Sequence, residues 1–261
     1  ASAGDNFYNV AIGYQAGKSV TTGVNNTIIG GLAGDALTTG TNNVAIGYAA
    51  LSTENAHGKN IAIGASALLS LDAGADAYNV AIGDQVGKLL STGVRNNLIG
   101  GLSGDALTTG SNNIAIGYTA LSTEDTGGKS IAIGSAALAS QNYDGHTYNI
   151  AIGHQAGTNV TTATQNTIIG GLAGDALTTG SSNVALGYSA LSSEDTGTRN
   201  TALGYNSLLS LNFDGHGYNT AVGYDSGRVI TTGVQNTIMG GLAGDALTTG
   251  SRNVAIGYLA L

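Results

Sequence analysis

The sequence predicts an all-β chain folded as a parallel β-solenoid (β-roll) of about fifteen turns, and three observations predict it. An aliphatic residue followed by glycine recurs in a regular series to Gly257, which begins at Gly13, Gly30, Gly47, Gly64 and Gly83. Glycine is abundant (43 of 261 residues) and proline is absent. No segment combines helical periodicity with helix caps. So short a repeat cannot form a compact domain but suits one turn of a solenoid.

Four repeats form a superperiod, of which the fourth is the longest, and the chain is interpreted as one repeat domain over residues 1–261. Its superperiods cover residues 1–64, 65–134, 135–204 and 205–261. Leu261 falls part-way through a repeat, which predicts that the segment belongs to a longer array. Within a superperiod the acidic residues change from turn to turn, so like charges do not stack on neighbouring strands.

Two columns of the array are candidates for the structural ladder. The residue before the glycine is aliphatic in every copy, which predicts a core stack. The fourth residue before the glycine is Asn in all copies except Ser130, and stacked Asn side chains form hydrogen-bonded ladders. The first members of the two columns are Ile12, Ile29, Ile46 and Ile63, and Asn9, Asn26, Asn43 and Asn60. The glycine column itself predicts a positive φ or a close approach between backbones.

The strand of each repeat is apolar on both faces, which predicts more than one chain. The second residue before the glycine is also apolar in every copy, as at Ala11, Ile28 and Ala45. Successive strand residues face opposite sides, so a single narrow solenoid would bury only one of the two columns. We expect the alanine column to face sister chains in a homo-oligomer. The alternative is that these small alanines are simply exposed.

The repeats Asn9-Val10-Ala11-Ile12-Gly13 and Asn43-Val44-Ala45-Ile46-Gly47 resemble the head repeats of trimeric autotransporter adhesins. The longer form, Asn113 to Leu121, resembles repeats of phage tail-fibre and related extracellular fibre proteins. The resemblance covers nearly the whole chain, although the repeat here is longer than that of the adhesin heads. It implies an interwound homotrimer in a fibre that presents surfaces for attachment. It also implies an extracellular location, on a cell surface or a virion.

Composition excludes several other classes of protein. The net charge of −8, with only eight Lys and Arg, argues against nucleic-acid binding. The apolar runs are too short for membrane insertion. We expect no enzyme and no cofactor, because the repeated turns contain no convergent set of unique catalytic groups. Calcium remains a weaker alternative for the Gly30–Leu37 segment, whose Gly-Asp turn departs from the calcium-binding nonapeptide spacing.

The three loops of the long turns, which recur every fourth turn, carry the least repetitive sequence and are the candidate contact sites. Aromatic, acidic and histidine side chains recur there and suit a host glycan or a surface protein as partner. The candidates are Tyr143, Asp144, His146, Phe213, Asp214 and His216. The alternative is that these loops are tolerated insertions in a surface turn.

The sequence therefore predicts a rigid extracellular fibre segment, a phage tail fibre or a bacterial surface adhesin or filament. Turns with unpaired strand edges also allow growth of a filament end to end. The alternative function is a single-chain ice-binding β-solenoid, because Thr-Thr pairs recur one turn apart, at Thr21-Thr22 and Thr38-Thr39. Other turns interrupt that array with acidic and aromatic residues, as at Asp72 and Phe213.

Overall fold

The computed structural model describes residues 7–261, which form fifteen turns of a parallel β-solenoid and contain no helix. This confirms the predicted all-β solenoid. Each turn contributes one short strand. The strands are β1 Val10–Ile12, β2 Thr27–Ile29, β3 Val44–Ile46, β4 Ile61–Ile63, β5 Val80–Ile82, β6 Asn97–Ile99, β7 Ile114–Ile116, β8 Ile131–Ile133, β9 Ile150–Ile152, β10 Thr167–Ile169, β11 Val184–Leu186, β12 Thr201–Leu203, β13 Thr220–Val222, β14 Thr237–Met239 and β15 Val254–Ile256.

The chain forms two compact units, divided between Lys129 and Ser130. In the first unit, strands β1 to β7 pair in chain order, all parallel, and each residue faces its equivalent one repeat later. In the second unit, β8 to β15 pair in the same way. The repeat length of the sequence thus sets the register in which neighbouring strands pair.

The glycine column ends each strand, as the sequence predicts, because both reasons for glycine apply there. Gly30 has a φ of 134°, a region that side chains strongly disfavour. A Cβ atom on Gly30 would also collide with the carbonyl oxygen of Gly47 in the next turn. A substitution at this column therefore strains the backbone and separates two turns at once.

The side of the strand that faces the core is the opposite of the one expected. The middle residue points inward, as for Ile28 and Ala45, both fully buried. The aliphatic residue before the glycine lies on the outer surface, so the expectation of a core stack there was wrong. Of its first four members, Ile12 is exposed, and Ile29, Ile46 and Ile63 are only partly buried. The alanine column that we expected to face sister chains fills the interior instead.

The narrow interior explains why alanine occupies the inward position of most strands. Where Ile28 is inward, Gly34 stands later in the same turn, and a Cβ there would lie 3.5 Å from the Ile28 side chain. Where Ala45 is inward, Leu51 stands at the equivalent later position and is fully buried. Large and small residues thus exchange places within a turn to keep the interior close-packed.

The asparagine column forms hydrogen bonds from one turn to the next. Asn43 donates its side-chain amide to the carbonyl of His57 (3.0 Å), and its oxygen accepts the N–H of Asn60 (3.1 Å). At the one exception, Ser130, a neighbouring glutamine substitutes for the missing amide. Gln141 donates to the Ser130 hydroxyl (2.8 Å) and accepts from Asn149 (2.9 Å). The side chain of Gln141 therefore continues the hydrogen-bonded column where the asparagine is missing.

Candidate functional site

The outer face of the strands is an uncharged surface, which we call the outward face. It consists of the first and third residue of each strand. In the first unit, 12 of these 14 positions are aliphatic, and in the second unit 12 of 16 are apolar. Exposure is substantial for large side chains in mid-sheet, 36% for Ile82 and 40% for Leu186. Because pairing is in register, the apolar side chains form two columns along each unit.

A column of tyrosines borders the outward face just after the glycine. In the second unit, the rings of Tyr188, Tyr205 and Tyr224 stack nearly parallel, with centroids 5.6 and 5.3 Å apart. Neighbouring rings cover each other's faces, so the edges point to solvent. Such a stack stiffens neighbouring turns but offers few open ring faces to a sugar.

The first candidate contact loop, residues 142–148, is exposed at all three of its candidate residues. Tyr143 and Asp144 have exposed side chains, and so does His146 on the far side of the turn. A tight turn folds the loop back, because the N–H of Gly145 donates to the carbonyl of Tyr143 (2.7 Å). The His146 ring lies 6.0 Å from that of Tyr148, edge to face. The structure therefore brings Tyr148, which sequence analysis did not single out, next to His146.

The second candidate loop, residues 212–218, is tied to the turn before it. The Thr196 hydroxyl lies 2.6 Å from Asp214 Oδ1 and donates to it, and the Thr198 hydroxyl lies 2.7 Å from Nδ1 of His216. Phe213 differs from the other two, because it is only partly exposed. Asp214 and His216 thus present their side chains at defined positions.

A cation and a tyrosine one long turn apart were missed by sequence analysis. Lys59 Nζ lies 4.8 Å from the ring centroid of Tyr78, and Arg199 lies 5.6 Å from that of Tyr218. The signal was present as a cation followed, one long repeat later, by a tyrosine. It was hidden because these pairs become neighbours only after the register of the long turn is known.

A buried glutamate supports the base of the first and of the third long-turn loop. Glu54, Glu124 and Glu194 recur every 70 residues and are fully buried. Glu194 accepts the N–H of Gly197 (2.7 Å) and that of Phe213 on the following turn (3.3 Å). Burial raises the pKa of Glu194 to about 6, although these hydrogen bonds oppose the shift. The carboxylate thus closes the loop by accepting backbone amides in a site that disfavours its charge.

One group of side chains has the composition of a metal site. Among residues 7–261, ligand atoms of Glu54, His57 and Asp72 lie within 4.8 Å of one another. The Glu54 oxygens, however, already accept the N–H groups of Ala56, His57 and Ala73. Two carboxylates and an imidazole also fall short of the six to eight oxygens that calcium takes. The Glu54 carboxylate is therefore accounted for by its hydrogen bonds to the backbone.

The threonine columns are engaged within the fold. The hydroxyl of Thr21 donates to the carbonyl of Thr38 (3.1 Å), and Thr38 donates to the carbonyl of Asn55 (2.9 Å). The same bond recurs from Thr161 to Thr178 (3.1 Å). The first threonine of each of these pairs therefore uses its hydroxyl hydrogen to join two turns.

Comparisons with protein-family models, with curated proteins and with solved structures give no match to this chain. Residues 7–261 contain neither a helix able to cross a membrane nor a pocket.

Proposed function

We propose that this chain is a structural segment of an extracellular fibre, on a cell surface or a virion, which self-associates along its outward face and presents the long-turn loops for attachment. The observation that carries the proposal is the outward face itself. Two uncharged, largely apolar columns run along each unit and stay partly exposed in the single chain. Contiguous exposed apolar surface of this kind marks interaction sites.

A second copy of the chain is the partner that fits this face best. Its strands repeat at the same spacing of about 4.8 Å, so side chains of two copies can interdigitate over every turn. A globular partner would match only a few turns before losing register. Three copies around one axis would cover the face on each chain, in keeping with the resemblance of the repeats to trimeric fibre proteins. The host glycan or surface protein then meets the loops, which lie away from the strands.

Ice binding is less well supported than self-association. An ice-binding surface requires an ordered array of hydroxyls, and the first threonine of the recurring pairs donates to the next turn instead. A thermal-hysteresis measurement separates the two functions directly. A clear hysteresis gap with a monomeric chain would favour the ice-binding alternative.

The test is the mass in solution of two matched double variants, measured by light scattering. Ile63→Lys with Ile82→Lys places two charges on the outward face, whereas Thr53→Lys with Thr123→Lys places them on exposed sites elsewhere. We expect the unchanged chain and the control variant near three times 25.7 kDa, and the face variant near 25.7 kDa. A monomeric unchanged chain, or a face variant of unchanged mass, would contradict self-association through this face.

A further inference from the structure

The first and third long-turn loops are built alike but differ in charge balance. In the first unit, Lys59 Nζ lies 2.8 Å from Asp76 Oδ2 and 2.8 Å from the Tyr78 hydroxyl. The hydrogen bond from Lys59 lowers the pKa of the Asp76 carboxyl, so the pair is ionised at neutral pH. The cation of this loop thus has a carboxylate supplied by its own chain.

In the second unit, the same arrangement lacks its carboxylate. Arg199 and Tyr218 stand two superperiods after Lys59 and Tyr78, but His216 stands where the first loop has Asp76. Arg199 donates from Nη1 to the Tyr218 hydroxyl (3.3 Å). Within residues 7–261, Arg199 takes part in none of the ion pairs. The Arg199 guanidinium therefore lies against the Tyr218 ring but has no carboxylate partner among residues 7–261.

The His216 imidazole packs near the same tyrosine, with ring centroids 5.8 Å apart. Nδ1 of His216 lies 2.7 Å from the Thr198 hydroxyl and hydrogen-bonds to it, which leaves Nε2 for a ligand. In either neutral tautomer, Nε2 can hydrogen-bond with a hydroxyl group, which both donates and accepts. Arg199 thus offers donors to an oxyanion, and His216 offers Nε2 to a hydroxyl group.

We propose that Arg199, His216 and Tyr218 form a binding site for a uronic-acid unit of an acidic polysaccharide. The sugar carboxylate takes the place that Asp76 holds in the first loop, and a ring hydroxyl hydrogen-bonds to Nε2 of His216. Guanidinium pairs with carboxylate in a charge-assisted, directional bond. Asp214 lies on the same loop, so one carboxylate per sugar suits the site better than a multiply charged phosphate.

The proposed site identifies a ligand class for the long-turn loops, and in that respect it rests on the proposed attachment function. It does not depend on self-association. Uronate binding is therefore measured on a chain of any mass, and its failure would leave the light-scattering result standing. Conversely, a monomeric chain that binds uronate would refute the fibre interface and keep the loop site.

The experiment is a calorimetric and saturation-transfer NMR titration with trigalacturonate. Maltotriose is the neutral counterpart, and inorganic phosphate tests attraction to any anion. We expect trigalacturonate to bind at least about tenfold more tightly than either, the factor expected of one charge-assisted hydrogen bond. Equal binding of all three probes, or no binding of trigalacturonate, would overturn the proposal.

Two reciprocal changes connect the binding to this site. His216→Asp recreates the self-neutralised first loop, and it is combined with His146→Asp because the middle loop also carries histidine. We expect this variant to lose trigalacturonate binding by about tenfold or more while its unfolding midpoint stays unchanged. Asp76→His, the reverse change, should add a uronate site to the chain. Undiminished binding by the His-to-Asp variant would refute the site.

Discussion

Two neighbouring isoleucines on one strand give the sharpest test of which strand face is the core. Ile168 in β10 is fully buried, whereas Ile169 is only partly buried on the outward face. Gly157 and Gly174 line the inner site, where a Cβ would lie 2.9 and 3.5 Å from Ile168 Cδ1. Because glycines cannot extend to fill a void, Ile168→Ala leaves a cavity.

The expected magnitudes follow from the two environments. Ile→Ala removes about three methylene equivalents at about 0.8 kcal/mol each, or about 2.4 kcal/mol when the side chain is buried. The cavity term raises the cost of Ile168→Ala to about 3–4 kcal/mol. Ile169→Ala should cost about 1 kcal/mol in the single chain, because water already reaches that side chain and no cavity forms.

Denaturant unfolding followed by circular dichroism measures the loss of stability in both variants. The measurement is repeated over a range of protein concentrations. Any contribution of Ile169 to an interface grows with concentration, whereas the cavity cost of Ile168 does not. At the lowest concentration, equal costs, or a larger cost for Ile169→Ala, would refute the assignment of the inward face.

Three further changes test the backbone and its polar supports. Gly30→Ala should destabilise the fold by several kcal/mol, because of its φ of 134° and the collision with the next turn. Gly31→Ala is the control and should change the melting temperature little, because its Cβ would meet only a ring carbon at 3.6 Å. Similar losses of stability in the two variants would contradict this account. Burial raises the folded-state pKa of Glu194 from 4.5 to about 6, so its contribution to stability is greatest below about 4.5 and is lost as pH rises through about 6. Glu194→Gln should therefore lose less stability than the unchanged chain as pH rises from about 4.5 to about 7 in thermal melts, and equal slopes would refute the shift. Asn200→Ser copies the exception at Ser130 and should cost about 2 kcal/mol of stability, because it leaves backbone groups unpaired. Adding Leu211→Gln, which copies Gln141, should recover part of that stability in the same unfolding assay. No recovery would argue against the role of Gln141 in replacing the missing asparagine.

The turn architecture was predictable from the sequence because each turn repeats its chemistry. The recurring glycine determines both the length of each turn and the register, and its positive φ and close contact are physical requirements of that position. The inward face was not recovered from hydrophobicity. Isoleucine before the glycine resembles a core residue more than alanine does. The decisive signal was volume, since Ile28 coincides with Gly34 and Ala45 with Leu51.

The candidate loops were recognised by their position and not by their partners. Exposure of Tyr143 and His146 follows from an insertion in a surface turn. The neighbours of Arg199 could not be identified from the chain, because Tyr218 stands a full long turn later and becomes adjacent only through the register. The absence of a carboxylate partner for Arg199 likewise becomes apparent only by comparison with the first loop, where Asp76 pairs with the cation.

The most direct test of the whole account is thiol accessibility along one strand. The chain contains no cysteine, so single Ala185→Cys, Leu186→Cys and Ser193→Cys variants each report one position. We predict that the thiol at 185 reacts only on unfolding and that the thiol at 193 always reacts. The thiol at 186 should react in dilute solution and become protected as concentration rises. A reactive thiol at 185 would contradict the inward alanine column, and a rate at 186 that ignores concentration would contradict self-association through the outward face.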